Sequence, residues 1–151
     1  MLEVEVANKQ NRLPINEARL ADAARRVLLG EEIESGTISI AVVDDLAIHK
    51  LNRQYLAHDY PTDVLSFVLE QTAGPPASLQ GEVIVSADTA DTMAARIGWP
   101  PEDELLLYVI HGCLHLAGHD DQTDEAREAM RGRERFYLAE LGIVEPRMKP
   151  Q

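Results

Sequence analysis

The amino-acid sequence predicts a single α+β domain over residues 1–151, a small mixed four-stranded sheet covered by about five helices. Three observations carry this. The chain has 151 residues, 45% hydrophobic and 26% charged, the size and balance of one buried core. Its strand-like and helix-periodic segments follow the order β-α-β-α-β-β-α-α-α with no internal repeat. The only loop-like low-complexity stretch, Gly74-Pro75-Pro76-Ala77-Ser78, is too short to separate one domain from another.

The elements follow from local chemistry. Leu2 to Ala7 alternates as a short strand, and Pro14-Ile15-Asn16 offers a cap to a helix carrying Leu20, Ala24, Val27 and Leu28, with Gly30 as its stop. Thr37 to Val43 is β-branched and strand-like; Asp44 then caps a helix with Ala47, Ile48, Leu51 and Tyr55 on one side. Val64 to Leu69 and Glu82 to Val85 are two further strands. A short helix after Asp88 ends near Gly98. Pro100-Pro101 with Glu102, Asp103 and Glu104 opens the next, and a last helix runs from about Thr123 to Leu141, stopped by Gly142.

Charge excludes some functions. Fourteen Lys+Arg against 26 Asp+Glu leave a net charge of -12, the wrong sign for holding nucleic acid by bulk electrostatics, so any RNA contact has to be local. The longest apolar run, Leu105 to Ile110, falls far short of the roughly 20 residues of a membrane span. One cysteine, Cys113, cannot form an intramolecular disulfide, and the acidic N-terminus is unlike a signal peptide. These features predict a cytoplasmic protein.

The helix from Leu105 to Leu116 is apolar on nearly every side and belongs in the core, yet it carries His111 and His115. Four residues apart, their imidazoles leave one face towards one point, the spacing of two zinc ligands on a helix. Gly118 lets the chain turn back, so that His119, Asp120 or Asp121 can close one side of a tetrahedron and leave the fourth position to water. The competing reading makes both histidines core residues bonded to backbone or carboxylates. A zinc peptidase would place its glutamate base directly after the first histidine. Here that residue is Gly112, which turns the reading from peptide hydrolysis towards another metal-assisted hydrolysis or a structural metal.

Three segments resemble the YbeY family of zinc-dependent endoribonucleases: Leu51-Asn52 through His58-Asp59-Tyr60-Pro61-Thr62-Asp63-Val64-Leu65-Ser66-Phe67, then Gly81 to Ser86, then His111 to Gly118, with Met130 and Glu134 also in place. The resemblance implies a zincin-like metal helix, one Zn²⁺ per chain held by His111, His115 and the position of Asp121, and cleavage of single-stranded RNA. It further implies a role in maturing the 3′ end of small-subunit ribosomal RNA and in ribosome quality control. The partners implied are the ribosomal RNA precursor and the ribosome, with a ribosomal protein or ribosome-associated GTPase compatible.

This chain departs from the family at two places. The third ligand is usually His, and Asp121 stands there, with His119 where Tyr is common; Asp is an acceptable zinc ligand and is preferred over His119. Leu56 replaces an arginine common in the family, for which Arg53 or His58 could substitute. The remaining substrate candidates are Asp63 and Ser66; Val64, Leu65 and Phe67 are assigned to packing. Asp59, Asp63, His119 or Asp120 could move a proton. Arg127, Arg131 and Arg135, with Arg133 nearby, form the one basic stripe and a candidate track for RNA phosphates, but interspersed Glu128 and Glu134 make a charged helix face with local ion pairs the expected reading. Two rival functions are a non-catalytic ribosome-assembly factor with structural zinc and a zinc peptidase-like hydrolase.

Overall fold

The computed structural model describes residues 1–56, 63–74 and 77–146, the side chains of residues 55 and 56 aside. In chain order the elements are β1 (Leu2–Asn8), α1 (Glu17–Gly30), β2 (Ile33–Val43), α2 (Asp45–Leu56), β3 (Val64–Thr72), β4 (Ala77–Ser86), α3 (Ala87–Ile97), α4 (Pro101–Leu116) and α5 (Asp124–Glu140). The order is the predicted one. The strands lie β1-β2-β4-β3; β1, β2 and β4 run parallel, while β3 pairs antiparallel with β4 and forms an edge. Among the described residues, no helix is long and apolar enough to cross a membrane.

Alternation along the strands divides the sheet into two faces. Ile38, Ile40 and Val42 of β2 and Leu79, Val83 and Val85 of β4 enter the main core, which α1, α3, α4 and α5 complete. Ala41, Val43, Ile84, Leu65 and Phe67 turn to the other face, where Ile48 of α2 covers them. Both β2 and β4 start earlier than hydrophobicity alone predicts. Their polar first residues are held by pairing, Ser35 with Ser78 and Gly36 with Leu79, which a periodicity argument does not see.

Most helix signals act as expected. Asn16 accepts a hydrogen bond from the Arg19 amide at 3.1 Å, and Asp44 accepts one from the Ala47 amide at 2.8 Å. Gly30 ends α1 as expected but leaves the positive φ to Glu32, at 69°. Its missing Cβ serves close packing instead: a methyl there would lie 2.2 Å from the Tyr137 hydroxyl of α5.

Helix α4 lies in the middle of the main core, with Leu105, Leu106, Val109, Ile110, Cys113, Leu114 and Leu116 almost fully buried. Each such side chain contributes roughly 1.5–3 kcal/mol on leaving water, which outweighs the cost of carrying two half-buried imidazoles.

Beyond the end of α1, Glu31 ties three elements together. Its Oε2 accepts hydrogen bonds from Tyr137 at 2.6 Å and Arg133 at 2.8 Å, and its Oε1 accepts one from His119 Nε2 at 2.6 Å. Burial favours the neutral acid, but the bonds from Tyr137, His119 and Arg133 prevail and hold the Glu31 carboxyl below its ordinary value. Burial and the bond to Glu31 push the Tyr137 hydroxyl up to about 12.

A carboxyl lowered by folding adds stability that is fully present above its unfolded value, about 4.3, and that drains away as pH falls through the folded value. Glu31→Gln is therefore expected to cost about 1.5–3 kcal/mol at neutral pH. The deficit should shrink in acid, where wild-type Glu31 is itself neutral. Urea midpoints of the two proteins across this range check it; a pH-independent deficit would contradict the assignment.

Candidate metal centre

The C-terminal end of α4 is closed by two bonds, His119 N–H to Leu114 O and Gly118 N–H to His115 O, both 3.0 Å, with Gly118 at φ 107°. This is a Schellman closure, and only a residue tolerant of positive φ makes it without strain. It reverses the chain directly after His115 and carries Asp121 back over the helix end. His111 Nε2 and His115 Nε2 lie 3.2 Å apart, with Asp121 Oδ2 at 4.0 Å from the first and 3.9 Å from the second. A tetrahedral zinc site with bonds of about 2.0–2.2 Å sets its donors roughly 3.3–3.5 Å apart, so two imidazoles and one carboxylate at these separations fit the ion. The Asp121 side chain is half exposed and free to close the small remainder.

Of His119 and Asp121, the structure brings only Asp121 to the two histidines, because His119 has a partner far away in sequence. His119 is turned to Glu31 and takes no part in the cluster, which consists of His111, His115 and Asp121. Each histidine is anchored as a core residue would be, His111 Nδ1 to the Glu134 carboxylate and His115 to the main chain of His119, and what sets the pair apart is that their Nε2 atoms are left facing each other.

Glu134 of α5 orients the first ligand. Its Oε2 accepts from His111 Nδ1 at 3.0 Å, which keeps the proton on Nδ1 and leaves Nε2 as the lone pair a metal needs. Burial works against a charge on His111, but the hydrogen bond and the negative charge of Glu134, with Asp63 and Asp121 beyond, prevail and raise its pKa. Burial and the neighbouring His111 lower that of His115. Two nitrogens this close share one proton at most, and a divalent ion could take its place.

Gly112 faces the sheet. A Cβ there would lie 2.5 Å from Val83 Cγ1 and 3.1 Å from Val64 Cγ2. The Ser66 hydroxyl donates to the Gly112 carbonyl at 3.1 Å, which pins the helix to β3 at the same place. The residue after the first ligand thus points at β3 and β4, and a longer side chain has no room there. Cys113 is fully buried, and burial pushes its thiol up to about 12, which leaves it a packing residue.

Two clefts meet at the cluster. One, about 360 Å³, is lined by Asp63, Val64, Ser66, His111, His115 and Asp121 along β3. The other, about 240 Å³, runs between α4 and α5 past Tyr108, His111, Asp121, Met130, Arg131 and Arg135. Asp63, His111 and Asp121 border both. Arg53 is exposed on α2 and is not among the described residues lining either cleft; His58 and Asp59 lie outside the described residues, and Leu56 ends α2.

Residues 5–142 match the family model of endoribonuclease YbeY. An endoribonuclease YbeY of Pelotomaculum thermopropionicum is 37% identical over 95% of this chain and 99% of its own length. The chain belongs to the YbeY family. The endoribonuclease YbeY of Rhodopirellula baltica is 43% identical over 84% of this chain, which spans 65% of that relative. The solution structure of TM1509 from Thermotoga maritima matches 94% of this chain and 92% of its own at 26% identity, with a TM-score of 0.57.

Seen as a YbeY chain, the molecule holds more at its centre than local sequence signals reveal. Glu134 matched the family pattern without a role that spacing could assign; its bond to His111 depends on how α5 packs. Likewise Arg127, Arg131 and Arg135 do not stay within an ordinary solvated face but line the cleft, and of these three Arg127 makes the expected local pair, with Asp124.

Removing the carboxylate behind a histidine ligand typically costs 10–100-fold in metal affinity. Glu134→Gln is expected to weaken zinc binding by about that factor, as measured by competition with a chromogenic chelator; unchanged affinity would contradict the orienting role. Gly112→Ala should cost about 1–3 kcal/mol through overpacking against Val83. Denaturant unfolding checks this, and wild-type stability would contradict the close approach.

Proposed function

We propose that this protein is a zinc-dependent endoribonuclease specific for single-stranded RNA. It would act in the cytoplasm on ribosomal RNA precursors, at the 3′ end of the small-subunit RNA, and in ribosome quality control. One observation carries the reading: His111, His115 and Asp121 form an open-sided donor set where two clefts meet, in a chain of an endoribonuclease family. The ribosomal substrate rests on the resemblance alone, as does engagement of a ribosomal protein or GTPase.

When bound, one zinc ion supplies Lewis-acid polarisation of a phosphoryl oxygen and acidifies water. The chain supplies the rest. Glu134 holds the Nδ1 proton of His111, so that this ligand stays neutral and correctly turned. Two neutral imidazoles and one carboxylate leave a dication with a single positive charge towards a phosphodiester, less than a three-histidine site would offer. Asp63 borders both clefts and is the residue placed to take or return a proton above the cluster, whereas His119 is committed to Glu31. Ser66 lines the β3 cleft while its hydroxyl holds α4, so its contribution to substrate is one of shape.

The test joins metal content to cleavage. Wild-type protein should carry one zinc per chain and cut single-stranded RNA while sparing duplex. His115→Ala should lose both zinc and cleavage, and Asp121→Asn should lose most of each. Zinc-loaded wild type that cuts no RNA, or a His115→Ala variant that cuts as fast as wild type, would overturn the reading.

A further inference from the structure

We propose that Arg131 and Arg135 form a phosphate track that carries the RNA strand away from the cluster along α5; this rests on the endoribonuclease reading. The two residues lie four apart on one helix, about 6 Å along its axis, and both line the cleft that His111 and Asp121 also border. Both are exposed, and among the described residues neither makes an ion pair.

The neighbouring cations of α5 are otherwise engaged. Arg127 is bonded to the Asp124 carboxylate and the Asp121 carbonyl, and Arg133 is turned to Glu31 and Tyr137. In a chain of net charge -12, in a cleft also lined by Asp63, Glu104, Asp121, Glu134 and Glu145, two exposed arginines without an ion pair among the described residues form a local positive strip on the rim.

The depth of the cleft decides which portion of a nucleotide goes where. Its lining includes carboxylates already bonded within the protein, Glu134 to His111 and Glu104 to the Trp99 indole N–H at 2.9 Å. These repel a phosphate that enters deeply, whereas Met93, Leu107, Tyr108 and Met130 offer apolar surface to a base or sugar. The phosphates therefore stay on the arginine rim. The β3 cleft has no lysine or arginine among the described residues that line it. Backbone attraction is thus one-sided, and the strand is gripped on the α5 side of the scissile bond.

The test compares Arg131→Gln/Arg135→Gln with a control of equal charge, Arg25→Gln/Arg26→Gln, on the exposed side of α1 outside both clefts. Fluorescence anisotropy of a labelled short single-stranded RNA on zinc-free protein is followed against salt, and KM and kcat are measured on zinc-loaded protein. The cleft variant should bind roughly tenfold more weakly, with a log K against log salt slope smaller by about 1.4, two phosphates at about 0.7 each. Its KM should rise while kcat stays near wild type. Arg131→Lys/Arg135→Lys should recover the slope, and the α1 control should keep it.

An unchanged slope in the cleft variant, or an equal loss in both double variants, would overturn the track while leaving the nuclease intact. Wild-type protein that neither binds nor cuts single-stranded RNA would instead remove the endoribonuclease reading, and the track with it.

Discussion

Helix α4 approaches the sheet so closely at Gly112 that any side chain there would overlap Val83, and the placement of the whole centre follows from that contact. The helix is buried along most of its length, so its depth is set by packing and not by the ligands it carries. Because it settles against β3 and β4, its last turn emerges beside the edge strand. His111 and His115 therefore stand at an opening and not inside the core. The hydrogen bond from Ser66 to the Gly112 carbonyl fixes the same contact from the strand side. A glutamate at position 112 would face the sheet, so a peptidase-type base is excluded by the same approach that positions the ligands.

Two carboxylates then divide the work around the imidazole pair. Glu134 bonds to the far side of His111 and controls where its proton sits, while Asp121 faces both Nε2 atoms and joins the donor set. Their separation depends on the Schellman turn at Gly118 and on Glu31, which draws His119 away from the cluster and so fixes the direction in which the following residues run. Which residues gather at the end of one helix thus depends partly on the end of another, 88 residues earlier in the chain.

What could be read from the sequence was whatever is local. The apolar run Leu105 to Ile110, the four-residue spacing of His111 and His115, the cap at Asn16 and the turn glycine at Gly118 each act through neighbours within one or two turns, and the fold shows each as expected. Failures have a common physical cause. Gly30 ends its helix as expected, but the second use of its missing side chain, to make room for Tyr137 far along the chain in α5, could not be seen. The early halves of β2 and β4 lack hydrophobic alternation and are strands only because they pair with each other. Glu134 and Glu31 are unremarkable glutamates until α5 packs against α1 and α4. The preference for Asp121 over His119 came from ligand chemistry and the family position, while the bond to Glu31 that turns His119 away could not be read locally.

The arginine spacing on α5 illustrates how far tertiary placement changes meaning. Residues four apart on a charged helix are ordinarily neighbours that pair with nearby glutamates, and Arg127 behaves in that way towards an adjacent carboxylate. All three arginines line the cleft, and Arg131 and Arg135 differ in making no ion pair among the described residues, so their side chains meet the route a substrate would take. A site with an aspartate in place of a third histidine draws a phosphodiester less strongly, because one carboxylate cancels some of the charge of the ion. Cations on the adjoining wall move that attraction from the metal to its surroundings. In a chain this acidic, the field that reaches a nucleic acid is then set by where two arginines stand, and the net charge is free to be negative everywhere else.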